Sequence, residues 1–250
     1  MTDAVAVLVP VYKPELSALE AYSLDLSLQR IAGRTVYFIA PADLQRGYYE
    51  QRYPGVPFVY FDPVYFADIK GYNRLLLAEG FYKRFSDHEY TLILQPDAVL
   101  LRDEIDEWAA KPYDYVGAPW PEGHDLKINL DRFEGRYGKH VKAKVGNGGL
   151  SLRRNRACIA LMREFPHATQ VFTVAGSSED LFFSFMGALS ANFVMPNEIT
   201  ASLFSMEFGA AEYFQMNGGV LPMGGHAWWK HDVGFWKPLL PPSPLLDGLG

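Results

Sequence analysis

The sequence predicts an α/β fold, a doubly wound and mostly parallel sheet flanked by helices. Three observations carry this. Strand-length apolar runs alternate with helical stretches through the first hundred residues, in the order β-α-β-α-β-α-β. The main runs lack the in–out alternation of a half-solvated strand, so they read as buried on both faces. A chain of 250 residues, 49% hydrophobic and 21% charged, is also long enough to enclose such a sheet in one large domain.

Residues 4–9 form the first strand, and Pro10, Val11, Tyr12, Lys13 and Pro14 make the loop that leaves it. Residues 15–29 place Leu16, Leu19, Tyr22 and Leu26 at near-helical spacing, with Ile31 following and Gly33 as the stop. Residues 35–40 are the second strand, 43–53 a polar, Tyr-rich helix, and 58–61 the third strand. Residues 68–85 read as one helix with Leu75, Leu76, Phe81, Tyr82 and Phe85 inward. The fourth strand, 91–94, runs into Gln95, Pro96 and Asp97 before a second apolar run, 98–101.

In parallel α/β sheets ligands sit at the carboxyl ends of strands. Asp97 stands at such an end, either as a functional acid or as a turn residue accepting backbone N–H groups. Right-handed crossovers bring the loops after strands one and four to one rim, so Tyr12, Lys13 and Asp97 are expected to share a cleft.

The second half is less regular. Residues 104–111 form a short helix, 113–120 a strand entering a loop, 121–144 a long loop, 154–164 a helix, and a further helix opens near Ser178. The Pro-rich stretch 238–244 reads as a surface tail. No repeat or long linker divides the chain, so 1–250 is one domain, with 1–101 and 102–237 as its two halves and 238–250 as the tail.

Composition narrows the function. With 23 basic and 29 acidic residues, a net charge of −6 and no Lys/Arg cluster, nucleic acid is not an expected partner. The single cysteine, Cys158, permits no internal disulfide and sits in a helical pattern as a packed thiol. The first residues lack a basic leader, and no apolar run approaches the roughly 18 to 20 residues that span a bilayer. The expected location is the cytoplasm, with peripheral contact at the inner face of the membrane also open. Aromatic residues reach 15% (17 Phe, 15 Tyr, 5 Trp), enough to fill a core and to supply rings for sugar stacking.

Three further constellations can carry chemistry. Gly146-Asn147-Gly148-Gly149 precedes a strand and lets another group approach the backbone, or else marks a tight turn with a bulge. It lacks the ending of a phosphate loop and the pattern of a dinucleotide fingerprint. Ser178-Glu179-Asp180 opens a helix, so the acids either cap it or present a general base at a cleft rim. His226, after Gly224 and Gly225 and before Trp228 and Trp229, is either packed on a tryptophan or held by a metal or phosphate. The other five histidines lie in polar segments and read as surface.

These stretches occur in one order: Gln95-Pro96-Asp97, Tyr113-Asp114-Tyr115-Val116-Gly117-Ala118-Pro119-Trp120, Val145 through Arg153, Glu179-Asp180, and His226-Ala227-Trp228. In that order they resemble a family of bacterial and fungal proteins grouped with the GT-A-type glycosyltransferases, across nearly the whole chain. The resemblance implies a GT-A-like (Rossmann-like) mixed, mostly parallel sheet, and transfer of a sugar from a nucleotide-sugar donor, a UDP-sugar by default, to an acceptor hydroxyl. The implied acceptor is a glycan, a glycolipid or a small metabolite. The implied mechanism is inverting and metal-assisted. A metal-independent or retaining transferase, or a non-catalytic sugar binder, are the alternatives.

The resemblance also distributes roles. Asp97 and His226 would hold Mn²⁺ or Mg²⁺, although Gln95 stands where such enzymes carry the first acid of their metal motif. Asp180, with Glu179 second, would be the base. Pro10, Val11, Tyr12, Lys13, Lys70, Asn73, Asp97, Gly148, Gly149 and Arg153 would contact the donor. Trp120, Trp228 and Trp229 would be stacking walls for sugar.

Overall fold

The computed structural model describes residues 3–129 and 138–249. Its centre is a six-stranded sheet made by β1 (Val5–Pro10), β2 (Val36–Pro41), β3 (Phe58–Phe61), β4 (Tyr90–Leu94), β6 (Tyr115–Asn129) and β7 (Gly138–Arg154). Their order is β3-β2-β1-β4-β7-β6. The first four pair in parallel, while β7 runs antiparallel to both β4 and β6. The fold class is therefore the expected one: mixed, mostly parallel, with helices on both faces.

The strand β1 shows why. Val5, Val7 and Val9 pack into one apolar cluster, with Leu24 of helix α1 (Ala18–Arg30), Phe38 and Trp108. Ala6 and Leu8 pack into the cluster on the opposite face, with Leu76, Phe81, Phe182 and Phe183. A strand covered twice needs apolar residues at every position, which is the run seen in the sequence. The helix α1 begins at a capping box, where Ser17 and Glu20 each accept the other's backbone N–H.

Several elements differ from expectation. The helix expected over 68–85 is two, α3 (Ile69–Leu76) and α4 (Glu79–Lys83), because the backbone of Ala78 is extended between them. The expected long loop over 121–144 is instead largely the outer parts of β6 and β7, paired from His124 with Ala143 to Asn129 with Gly138. Residues 130–137 lie outside the described residues. Buried Val141, Ala143 and Val145 alternate with Lys142 and Lys144, so a period of two was present but interrupted by turn-forming residues. His88 is not at the surface: it is buried, with Nδ1 2.7 Å from the Asp3 carbonyl.

The second apolar run after Asp97 leaves the main sheet. It forms β5 (Ala98–Leu100), the edge of a small sheet in the order β5-β9-β8, with β9 (Gly224–His226) central and β8 (Ser205–Met206) beyond. Behind it Val99, Met206, Trp228, Trp236, Leu240 and Leu246 make a third core cluster. The Pro-rich stretch is thus partly docked. Leu240 and Leu246 are buried, and Tyr22 donates its hydroxyl to the Pro241 carbonyl at 2.6 Å. Among the described residues no helix is long and apolar enough to cross a membrane.

Candidate functional site

A cleft of about 540 Å³ opens at the carboxyl ends of β1 and β4. Pro10, Val11, Tyr12 and Lys13 line it from the end of β1, and Gln95, Pro96 and Asp97 from the end of β4. Asn73 lines it from α3, Asn147, Gly148 and Gly149 from β7, and His226 from β9. Ser178, Glu179 and Asp180 complete it from the start of α8 (Glu179–Leu189). Segments that are distant in sequence therefore converge because β1, β4 and β7 are neighbours and β9 pairs with β5 just after Asp97.

Asp97 and His226 form the first charged cluster. The imidazole Nε2 lies 3.1 Å from both Asp97 Oδ1 and Gln95 Oε1, and Nδ1 lies 2.9 Å from Glu207 Oε2. Lys230 donates from Nζ to Asp97 Oδ2 at 2.7 Å. Burial acts against charge on Asp97, but the hydrogen bonds from His226 and Lys230 outweigh it and hold the carboxyl well below the usual range. Burial likewise opposes charge on His226, yet Asp97 and Glu207 push its pKa up to about 9, so both ring nitrogens carry protons at neutral pH.

A short turn sets this arrangement. Ala227 donates its N–H to the Asp97 carbonyl at 2.9 Å and takes a left-handed φ of 49°, and Lys230 N–H returns to the Ala227 carbonyl at 2.8 Å. A non-glycine residue in that region is strained, and here the strain lies beside the cleft.

The second cluster is buried. The Arg153 guanidinium is fully enclosed and donates to Glu179 Oε1 at 2.8 Å, Ser151 Oγ at 3.0 Å and the Tyr82 hydroxyl at 3.3 Å. This occupies Glu179 and leaves Asp180 half-buried at the cleft. Asp180 accepts from Ser178 Oγ at 2.5 Å and from the Leu181 N–H at 2.7 Å. Burial first, and the Glu179 charge second, raise its pKa to about 7. Ser178 makes no side-chain cap on α8, and Asp180 itself satisfies one first-turn N–H, that of Leu181, while it faces the cleft.

The glycines accommodate the protein's own groups as well as the cleft. A Cβ on Gly149 would lie 2.3 Å from the His226 ring, and one on Gly148 2.8 Å from Glu179 Oε1. Gly146, at φ 149°, would meet Ser184 Oγ and Trp120.

Five expected contacts are not at the cleft. Arg153 is spent on Glu179 and Tyr82 and cannot reach a donor. Lys70 is exposed but packs its stem over Gly176, outside the lining. Trp228 is fully buried, its indole N–H bonded to Ser23 Oγ at 2.9 Å. Trp229 packs edge-on against Trp228 in the third cluster, and Trp120 is buried with His124 on its edge. The rings that do line the cleft are Tyr12, Tyr49, Phe66 and Tyr72. Cys158 is buried, and its thiol is pushed up to about 12 by burial, consistent with packing.

The donor set does not suit the divalent metal implied for Asp97 and His226. Glu207 and Asp97 sit on opposite edges of the imidazole, so one ion cannot reach both. Among the described residues the partners on the Nε2 side are Asp97 and the neutral Gln95 amide, and Asp97 is shared with the Lys230 ammonium. Among the described residues no group of three His, Cys, Asp or Glu side chains is arranged to hold an ion. Lys230 and Glu207 went unread in the sequence; Lys230 follows His226 by four residues, the one local signal available.

The fold and the position of the cleft define a GT-A-like α/β protein. Solved structures of that class superpose on it: mouse xyloside xylosyltransferase 1 at TM-score 0.54 and 11% identity, covering 90% of this chain and 98% of that one. The galactosyltransferase LgtC in complex with donor and acceptor sugar analogues aligns at TM-score 0.53 and 14% identity, covering 98% of this chain and 100% of the other. No curated protein matches in sequence. The chain belongs to the family described as protein of unknown function DUF5672, whose pattern matches residues 55–226.

Proposed function

We propose that this chain is a glycosyltransferase that moves a sugar from a nucleotide-sugar donor to an acceptor hydroxyl, with Asp180 as the general base and inversion at the anomeric carbon. One observation carries the reading: the Asp180 carboxyl faces a cleft at the strand ends outside the Arg153–Glu179 pair, where burial and the Glu179 charge push its pKa up. A base poised near the working pH is what abstraction of a hydroxyl proton requires. The likeness in fold to glycosyltransferases supports the same class.

In this mechanism the acceptor oxygen attacks the anomeric carbon as its proton passes to Asp180. The bond from that carbon to the phosphate oxygen breaks, and its electron pair leaves with the nucleoside diphosphate. Pro10, Val11 and Tyr12 flank the nucleotide, and Gly148 and Gly149 let the sugar approach the backbone. Glu179 keeps Arg153 neutralised and leaves Asp180 as the only acid of the pair free to accept a proton.

The test is a screen of nucleotide sugars, UDP-sugars first, for binding by thermal shift, followed by a transfer assay with the anomeric configuration of the product read by NMR. A ligand that binds only the folded state raises the melting point. Retention in the product would refute the direct displacement, and full activity in Asp180→Asn would refute the base.

A further inference from the structure

We propose that this cleft binds a diphosphate without a divalent metal, and that the cation serving it is the Lys230 ammonium. The inference takes from the proposed function only the identity of the ligand as a diphosphate. It rests on the disagreement between the expected metal and the groups the fold brings together.

The charge layout locates the anion. Five acids line the cleft: Glu20, Asp68, Asp97, Glu179 and Asp180. Against them the lining has two lysines, Lys13 and Lys230, and the His226 ring, whose nitrogens are taken up by Asp97, Gln95 and Glu207. Lys13 is tied to Glu20 at 2.8 Å, and the Arg153 guanidinium is sealed behind Glu179. Lys230 differs from Arg153 in its exposure and from Lys13 in its partner, which is Asp97 at the end of β4 where Lys13 has Glu20 of α1. Its side chain is 52% exposed, and among the described residues its Nζ bonds to Asp97 alone. An ammonium has three donors, so two remain for phosphate oxygens without breaking the Asp97 contact.

Asp97 then changes from an expected metal ligand to a positioning residue. It receives Lys230 on one oxygen and His226 on the other, and its carbonyl accepts the Ala227 N–H that starts the turn carrying Lys230 back over the cleft. His226 is in turn braced by Glu207. Without Lys230 the carboxylate of Asp97 would face an incoming diphosphate directly, and like charges at such range repel strongly where water is partly excluded.

The experiment is calorimetry with inorganic pyrophosphate on the full chain, in buffer freed of metal by chelator and again with excess Mn²⁺. The expected result is binding in chelator with an affinity within about threefold of that in Mn²⁺. Lys230→Met should weaken it by at least about tenfold, the scale on which losing a direct charge partner is felt. Lys230→Arg should retain most of it. Asp97→Asn should weaken binding in the parent but strengthen it once Lys230 is Met, where it removes the carboxylate that would repel the anion, a reversal of sign that a purely structural role would not produce.

Binding that requires Mn²⁺, no binding in either buffer, or a Lys230→Met variant of unchanged affinity each overturns the inference. The melting temperature of Lys230→Met, at a half-exposed position, controls for folding. Metal-free pyrophosphate binding through Lys230 with no turnover of any nucleotide sugar would refute the transferase reading and leave this inference standing.

Discussion

Asp180 and its neighbour Glu179 are adjacent carboxylates with opposite fates. Glu179 is matched by a buried guanidinium, and among the described residues Asp180 accepts from a hydroxyl and a backbone N–H. The sign of the pH effect follows. The pKa of Asp180 rises from 3.8 to about 7 on folding, so the folded chain holds this proton more tightly than the unfolded one. Its favourable contribution is complete below pH 3.8 and is lost as pH rises through about 7. Asp180→Asn, which keeps both acceptor contacts through its amide oxygen, is therefore expected to melt higher than the parent at pH 8 and alike at low pH. The same variant is expected to lose about 100-fold or more of transfer rate, with ligand binding intact. In the parent, rate should climb as pH rises through about 7; a flat profile with an undiminished variant would remove Asp180 from the chemistry. Gly149→Ala tests the other side of the cleft. Its Cβ would press on the His226 ring at 2.3 Å, so a loss of about 1–3 kcal/mol in stability together with weaker pyrophosphate binding is expected.

Between β7 and α8 the tie is the Arg153–Glu179 pair, with Tyr82 and Tyr115 around it. Removing one member leaves the other charged and buried, so Arg153→Met should destabilise by about 3–5 kcal/mol in chemical denaturation. Replacing both at once, Arg153→Met with Glu179→Leu, should recover most of that, because the cost lies in the orphaned charge. A double variant no more stable than the single one would contradict this. The elements themselves were unevenly legible. β1 and β4 were readable because strands buried on both faces are nearly all apolar, and β2 and β3 because their residues are mostly β-branched or aromatic. The outer part of β6 and β7 was not, because several of its described residues face solvent and Pro121, Glu122 and Gly123 break its alternation. Asp97, Asp180 and His226 stood out because each ends or begins an element. The partners of His226 and Asp97 did not, since Glu207 and Lys230 meet them only through the small second sheet, whose strands are 2 and 3 residues long.

At the scale of the whole molecule, the cleft depends on that small sheet, and the small sheet depends on the end of the chain. Only β9 carries His226, and the turn after it carries Lys230. Gly225 lets the Trp236 ring lie against β9, where a Cβ would come within 2.3 Å of it. Trp236 shares a cluster with Leu240 and Leu246, both buried and both in the stretch that reads from sequence as a surface tail. That reading failed because proline-rich composition reports local stiffness and says nothing about burial of the leucines between. The consequence is testable far from the cleft. Leu246→Ala should cost about 2–5 kcal/mol, the usual range for emptying a buried leucine site. Deleting residues 238–250 should remove the cover from Trp236 and the hydrogen bond from Tyr22 to Pro241 together. The truncated chain is expected to retain the large parallel sheet, to melt earlier, and to lose pyrophosphate binding at temperatures where its far-ultraviolet circular dichroism is still that of the parent. Hydrogen exchange would then show protection lost first in β9 and β5 rather than in β1 and β4. Simultaneous loss of protection in both sheets would mean that the molecule unfolds as one unit and that the second sheet has no separate stability to regulate.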